Sequence, residues 1–179
     1  MESTTNIEKS KSFNVLTITS PDVENGTGCR VTIWCSGCTH HCKGCHNAHT
    51  WAYNQGKSIC EKSVLDKIYS EVDKEYICGI TLSGGDPLDQ SYQALQELYM
   101  FITEFKNEFP DKTIWVYTGG LYEDLIQSPI TKKILEKIDV LVDGPYDANN
   151  TSKTKYPLYR GSFNQRIIYI KNTNGAMVE

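Results

Sequence analysis

Hydrophobic and polar residues follow two different periods along this chain. Short β-branched runs have the length and composition of strands at 13–18, 31–34, 76–82, 113–117 and 140–142, and a last apolar run follows at 166–170. Apolar residues recur at helical spacing, opposite charged ones, over 61–74, 91–108 and 131–137. The pattern therefore predicts helices and strands that alternate along most of the chain.

This alternation predicts βα units around a mostly parallel sheet, because parallel strands require crossover connections and helices are the usual crossovers. The predicted fold class is α/β. A closed barrel of eight units takes about 250 residues, whereas this chain has 179. We therefore expect a partial (β/α) barrel, open on one side, that forms a single domain over 13–179 after a flexible tail at 1–12.

Charge and hydropathy exclude some classes of function. The net charge is −4, and Lys and Arg are scattered among Asp and Glu, so nucleic acid is not an expected partner. No run of about 18 apolar residues is present, which argues against a membrane-spanning helix. The polar first twelve residues lack the apolar stretch of a secretory signal. We expect a soluble, cytoplasmic protein.

Four of the seven cysteines lie close together in the segment WCSGCTHHCKGC at 34–45. Without an export signal, metal or redox chemistry is a better explanation than disulfides. The spacing of Cys38, Cys42 and Cys45 would also suit one face of a buried helix. On a helix, however, the end thiols would be spread over about 10 Å of axis, and the residues between them are one glycine and four polar residues. A loop folded around a metal centre is therefore predicted.

The number and spacing of the thiols bear on the kind of metal centre. Zinc sites usually join two C-x-x-C pairs separated by a dozen or more residues, but Cys35–Cys38 and Cys42–Cys45 are separated by only three. An ordinary four-cysteine ferredoxin cluster commonly includes a terminal Cys-Pro, which this sequence lacks. The loop follows a predicted strand, at the end where α/β folds build their sites.

The C-x-x-x-C-x-x-C spacing of Cys38, Cys42 and Cys45 resembles that of radical S-adenosylmethionine enzymes. In that superfamily three thiolates hold a [4Fe–4S] cluster, and the fourth iron chelates S-adenosylmethionine, whose reductive cleavage yields a 5′-deoxyadenosyl radical. The resemblance implies one such cluster with these three ligands, and S-adenosylmethionine as cosubstrate. A fourth protein ligand would close the open iron, so Cys35 is not expected to bind the cluster.

The segment "TLSGGDPLD" at 81–89 carries a second resemblance to this superfamily. Gly84, Gly85 and Asp86 correspond to the Gly-Gly-Glu segment that holds the methionine amino group, with Asp in place of Glu. Paired glycines also permit a close approach to the backbone. The resemblance implies that these three residues contact S-adenosylmethionine.

Three further residues are interpreted through the same resemblance. Gly44 stands where much of the superfamily has an aromatic residue near the adenine, so the contact is expected from His46 or another nearby side chain. His46 could equally fix a local turn. Asp143 either faces the ribose or caps a turn before Pro145.

More of the chain resembles one branch, the activating enzymes of anaerobic ribonucleoside-triphosphate reductase. The matching segments lie at 37–51, 83–88, 116–120, 139–146 and 160–168. The resemblance implies abstraction of a hydrogen atom from a glycine of the large reductase subunit, which generates a glycyl radical, with flavodoxin or ferredoxin as electron donor. Alternatives are activation of another glycyl-radical enzyme, a small-molecule radical reaction such as deazaguanine synthesis, a passive electron carrier, or a zinc-stapled interaction module.

Two interpretations concern residues outside these motifs. Cys60 and Cys78 are expected to be packed thiols, because free cysteine is often buried. The polar segment 147–166 is expected to be either a flexible surface loop or an ordered docking element, with 160–166 in contact with the partner or the active site.

Overall fold

The computed structural model describes residues 9–151, 158–170 and 177–178. Eight strands are present in this part of the chain: β1 Asn14–Asp22, β2 Cys29–Cys35, β3 Lys57–Ser58, β4 Ile77–Gly84, β5 Thr113–Tyr117, β6 Val140–Asp143, β7 Arg166–Tyr169 and β8 Met177–Val178. The α-helices are α1 Lys62–Val72, α2 Tyr92–Glu108, α3 Tyr122–Leu125 and α4 Pro129–Leu135, and single 3₁₀ turns lie at Ala48–Thr50 and Ala148–Asn150.

All eight strands belong to one open sheet with the order β3-β1-β2-β4-β5-β6-β7-β8. The four central strands β2, β4, β5 and β6 are mutually parallel. The outer strands pair antiparallel, β1 with β2 and β3, and β7 with β6 and β8. The predicted α/β class with a mostly parallel, open sheet is confirmed.

The helices form where the sequence pattern places them, with small shifts at their ends. In α2 the Ser91 side chain accepts a hydrogen bond from the Ala94 N–H, which satisfies a free donor of the first turn. The helix ends at Glu108, before Pro110, which cannot donate to a further turn. The structure adds α3, β3 and β8, which are too short to give a periodic signal.

The main core lies between the helices and one face of the sheet. Alternate residues of β2, namely Val31, Ile33 and Cys35, point into it and are fully buried. Leu98 of α2 and Ile68 of α1 pack in the same cluster. Since strand side chains alternate between faces, the intervening residues of the sheet face the other way.

That other face carries a buried polar layer around Arg30. Its guanidinium donates hydrogen bonds to Thr81, Thr113 and the carbonyls of Thr27 and Ile80, at 2.6–3.1 Å. Burial lowers the pKa of Arg30 to about 10. All five N–H donors have acceptors, so this face is rigid without being apolar.

The structure corrects one expectation about the cysteines. Cys60 and Cys78 are exposed rather than packed. Cys60 lies in the turn before α1, and Cys78 is the second residue of β4. In the described residues no helix is long and apolar enough to cross a membrane.

Candidate functional site

A cleft of about 580 Å³ opens at the carboxyl ends of the parallel strands. This is the end where α/β sheets place their ligands. The loops after β2, β4, β5 and β6 line the cleft, and the turn between β1 and β2 reaches its far side. Its walls include Cys38, Cys42, Cys45, His46, Ser83, Gly84, Gly85, Asp86, Thr118, Gly119, Tyr146 and Gly161.

Cys38, Cys42 and Cys45 all line this cleft. Their segment is irregular backbone with short turns, which confirms the predicted loop and excludes the helical interpretation. Cys38 is buried, whereas Cys42 and Cys45 are partly exposed. The loop is tied to the chain that follows it, because the N–H groups of Gly37 and Cys38 donate to the carbonyls of residues 50 and 51 at 2.8 and 3.0 Å.

The environment of the Cys38 thiol makes it a weaker acid than an exposed cysteine. Burial raises its pKa to about 12, although the backbone N–H groups of His40 and His41 lower it in part. Only thiolates bind iron, so cluster binding at Cys38 must displace a proton. The two N–H groups near the sulfur are suited to stabilise the resulting negative charge.

Cys35 lies apart from the three cleft cysteines. It is the last residue of β2, is fully buried, and packs in the main core with Val15 and Ile33. Burial raises the pKa of its thiol well above the ordinary value. The thiol of Cys35 therefore lies in the core, and the expectation that it does not bind a metal centre stays a prediction.

Gly84 and Gly85 pack directly on the start of the cysteine loop. The Gly85 N–H donates to the Cys35 carbonyl at 2.9 Å, and the Asp86 N–H donates to the Gly37 carbonyl at 2.8 Å. A Cβ on Gly85 would lie 2.4 Å from the Gly37 oxygen, and one on Gly84, at φ +105°, would lie 2.7 Å from the Cys35 oxygen. Both glycines are required for this backbone contact.

Asp86 lies at the edge of the cleft and is only 2% exposed. Its Oδ2 accepts from Thr118 Oγ1, from the Gly119 N–H and from His40 Nε2, at 2.8–2.9 Å. Its Oδ1 accepts from the N–H groups of residues 88 and 89. The hydrogen bond to Asp86 raises the pKa of His40. Asp86 thus joins the β4, β5 and cysteine loops.

His46 lines the cleft beside an aromatic residue that the sequence interpretation did not single out. The rings of His46 and Tyr146 have centroids 5.0 Å apart and are tilted by 53°. Gly44 is not part of the cleft wall, but a Cβ there would lie 3.5 Å from Ala148 and 3.9 Å from Tyr146. The loop after β6 therefore lies against the glycine that stands beside Cys45.

Asp143 lies below the cleft and does not contribute to its wall. It is fully buried at the end of β6, where it accepts from the Tyr122 N–H at 2.8 Å and binds Arg166 through both oxygens. Arg166 also pairs with Glu123, and the hydrogen bonds that it donates to these two carboxylates raise its pKa. Asp143 thus anchors the start of α3 to β7.

The part of segment 147–166 that the structure describes packs against the cleft. Gln165 donates to the Gly144 carbonyl at 2.9 Å and accepts from the Gly161 N–H at 2.8 Å. Tyr117 donates to the Tyr159 carbonyl at 2.8 Å. Arg160, Gly161 and Gln165 line the cleft, as expected for contact with the active site, whereas 152–157 lie outside the described residues.

The donor set suits three-point attachment of an iron–sulfur cluster. Cys38, Cys42 and Cys45 line one cleft, and Cys35 lies in the core. The thiolates that hold a cubane bind different irons. In the described part of the chain, no three Cys, His, Asp or Glu side chains are grouped so that they could hold one metal ion.

Several residues that shape the site were not assigned a role from sequence. Asp89 and Gln90 contact the cysteine loop, and Thr118, Gly119 and Tyr146 border the cleft. The residues 118, 119 and 146 fall within segments that supported the family resemblance. Their positions after β5 and β6, at the carboxyl ends of parallel strands, were the available signal.

Comparison with known proteins gives a consistent family. A model of the 4Fe-4S single cluster domain matches residues 24–168. The anaerobic ribonucleoside-triphosphate reductase-activating protein of Enterobacteria phage T4 is 40% identical over 155 residues, which is 87% of this chain and 92% of the phage protein. The proteins of the same name from Pasteurella multocida and Escherichia coli K12 are 38% and 35% identical, over 83% and 84% of this chain and 91% and 94% of their own lengths.

Among solved structures, QueE from Escherichia coli aligns with 62% of this chain and 54% of its own, at 15% identity and a TM-score of 0.40. That likeness is too weak to support an argument, whereas the sequence relatives match nearly their whole lengths. The family is shown by two findings: the cluster-domain model matches most of the chain, and relatives that share one name match it over nearly their whole lengths. This chain belongs to the anaerobic ribonucleoside-triphosphate reductase-activating proteins, radical S-adenosylmethionine activases with a single [4Fe–4S] cluster.

Proposed function

We propose that this chain generates the glycyl radical of an anaerobic ribonucleoside-triphosphate reductase by abstracting a hydrogen atom from one glycine Cα of the large subunit. The observation that supports the proposal best is the arrangement of the thiols. Cys38, Cys42 and Cys45 face one cleft, while Cys35 turns into the core. That arrangement leaves one iron of a four-iron cluster free for a cosubstrate.

In this proposal Cys38, Cys42 and Cys45 hold the cluster, and the wall formed by Gly84 and Gly85 lies beside S-adenosylmethionine. When bound, the cluster and S-adenosylmethionine supply a 5′-deoxyadenosyl radical, with methionine as the second product of the one-electron cleavage. The chain binds and orients both groups and provides the space in which the radical meets its target. The hydrogen atom taken from glycine yields 5′-deoxyadenosine.

The cleft also supports a protein rather than a small metabolite as the substrate. Cys42 and Cys45 are partly exposed, and His46 beside them is exposed. A backbone loop that carries a glycine needs such an open approach. We propose that the chain after its first twelve residues works as one domain, with 158–166 beside the incoming loop.

We also propose a low-potential flavodoxin or ferredoxin as the electron donor and the cytoplasm as the site of action. Reductive cleavage of S-adenosylmethionine requires one electron from outside the chain. Cysteines that bind a cluster must stay reduced, and two of the three thiols are partly exposed, so a reducing compartment suits them. Activity with a purified donor, compared with chemical reduction by dithionite, tests the first point.

The function is tested in two stages under strictly anaerobic conditions. The purified chain should contain about four irons and four sulfides, the composition of one cubane, and should release 5′-deoxyadenosine and methionine when reduced. Addition of the anaerobic reductase should then give a glycyl radical signal by electron paramagnetic resonance. Cleavage of S-adenosylmethionine without that signal would redirect the proposal to another glycyl-radical enzyme or a small-molecule substrate, and a colourless protein with one zinc would overturn it.

A further inference from the structure

The loop between β4 and α2 holds the residues directly after Cys38 by side-chain hydrogen bonds. His40 Nε2 lies 2.8 Å from Asp86 Oδ2, and the Thr39 N–H donates to Asp89 Oδ2 at 2.6 Å. Thr39 and His40 lie between the first two cluster cysteines. Two carboxylates of the loop between β4 and α2 therefore form hydrogen bonds with two consecutive residues of the cysteine loop. We call Asp86 and Asp89 the carboxylate clamp.

The carboxylate of Asp86 has no capacity left for a ligand. Five donors reach it, whereas an ionised carboxylate offers about four lone-pair positions. Its side chain is 2% exposed, although it borders the cleft. An amino group of a cosubstrate would have to displace a donor that joins this loop to the rest of the site.

Asp89 is occupied in the same way. Besides the Thr39 N–H, its carboxylate accepts from the Thr39 hydroxyl and from the Tyr53 hydroxyl, and it pairs with Lys9. The neighbouring Gln90 donates to the carbonyls of Ser36 and Gly37 at 3.1 Å. The segment before Cys38 is thus fixed by the same loop as the segment after it.

We propose that Asp86 and Asp89 are positioning residues that fix the loop from Cys38 to Cys42 before the cluster binds, and that Asp86 does not itself contact S-adenosylmethionine. This inference rests on the proposed function, since it assumes that these cysteines hold the cluster. Partners that orient metal ligands raise metal affinity because less conformational freedom is lost on binding. Asp in place of the expected Glu has the reach that His40 and Thr118 require.

The clamp also affects the electronic environment of the cluster. Asp89 accepts the Thr39 N–H, which is therefore not available to a cluster sulfur. Hydrogen bonds to cluster sulfurs and nearby charge are the main protein controls of reduction potential. Replacing Asp89 by Ala removes a negative charge, frees that N–H and leaves Lys9 without its carboxylate partner. Each of the three changes favours the reduced cluster, so the midpoint potential is expected to rise.

The first experiment separates positioning from ligand contact. Anaerobically loaded Asp86→Asn and His40→Gln are compared with Asp66→Asn, a control on the exposed surface of α1. Iron release to a chelator is followed by absorbance, and binding of radiolabelled S-adenosylmethionine by equilibrium dialysis. We expect iron release at least fivefold faster in both clamp variants and unchanged in the control, with a dissociation constant for S-adenosylmethionine within threefold of the parent.

The opposite pattern would overturn the inference: unchanged iron release with S-adenosylmethionine binding weakened tenfold or more in Asp86→Asn. His40→Gln provides the second variant if Asp86→Asn does not fold, because His40 is partly exposed. The proposed function is tested separately, by the iron and sulfide content of the parent protein. A parent without iron and sulfide refutes that function whatever the variants show.

A redox titration followed by electron paramagnetic resonance tests Asp89, with Asp66→Asn again as the control. A loop that is merely loosened releases iron but has no defined effect on potential. We expect the midpoint potential of Asp89→Ala to lie above that of the parent. An unchanged or lower potential in cluster-loaded Asp89→Ala would refute the electronic part of the inference.

Discussion

Replacing Gly85 by Ala should damage both stability and the cluster site. An added Cβ would lie 2.4 Å from the Gly37 oxygen and 2.9 Å from its carbonyl carbon, and these are backbone atoms that cannot rotate away. The φ of Gly85 is outside the left-handed region, so the cost is steric rather than conformational. Overpacking of this kind costs about 2 kcal/mol, which lowers the melting temperature of a chain of this length by about 4–8 °C.

Gly120→Ala is the matched control for this substitution. Its Cβ would lie 3.3–3.5 Å from the side chains of Leu125 and Thr118, which can adjust. The free energy of unfolding of that variant should stay within about 0.5 kcal/mol of the parent. Thermal unfolding of the metal-free proteins by circular dichroism measures both changes, and iron content after anaerobic loading should fall only in Gly85→Ala. Equal stability of the two variants would refute the steric reasoning.

Three further predictions concern buried polar groups and pH. Arg30→Lys should lower the free energy of unfolding by about 2 kcal/mol or more, because one ammonium group leaves several buried acceptors unsatisfied. Urea denaturation measures this change. A variant with the same free energy of unfolding as the parent would contradict the prediction. Cys35→Ala should keep the full iron content of the parent, because the Cys35 thiol faces the core. A lower iron content in this variant would identify Cys35 as a ligand. Burial raises the pKa of Asp89, but hydrogen bonds from Lys9 and Thr39 lower it more, so it stands below its ordinary 3.8. The contribution of Asp89 to the free energy of unfolding is therefore present above about pH 4 and is lost as the pH falls through the lowered pKa. Urea denaturation from pH 6 to 3 should show a smaller loss of stability in Asp89→Asn than in the parent.

The fold could be predicted from sequence wherever the signal is local and repeated. The apolar residues at helical spacing in α2 and the β-branched run in β5 predicted the positions of these two elements to within a residue. Burial of one face of an element leaves a periodic pattern of apolar residues in the sequence. The two-residue strands β3 and β8 could not be predicted, since they are strands only through their sheet partners. The exposure of Cys78 could not be predicted either, since the other residues of β4 are buried.

The site could be predicted as a set of residue types but not as a set of contacts. The spacing of Cys38, Cys42 and Cys45 predicted a loop, which the structure shows on one wall of the cleft, and the glycine pair packs directly against that loop. The hydrogen bond between Asp86 and His40 could not be predicted, because it joins residues 46 positions apart in the sequence. Asp143 shows the same limit, since its pairing with Arg166 depends on the register of β6 and β7.

The sequence alone determined the chemistry of this protein: three thiols at a spacing that suits a loop, two glycines after a strand, and an alternation of elements that produces an open α/β sheet. Only the tertiary structure decided which thiol turns into the core and which carboxylates hold the cysteine loop. The physical reason is that donor types and periods are local properties of a chain. The direction of a side chain and the acceptor it reaches depend on strands and loops brought together from distant positions.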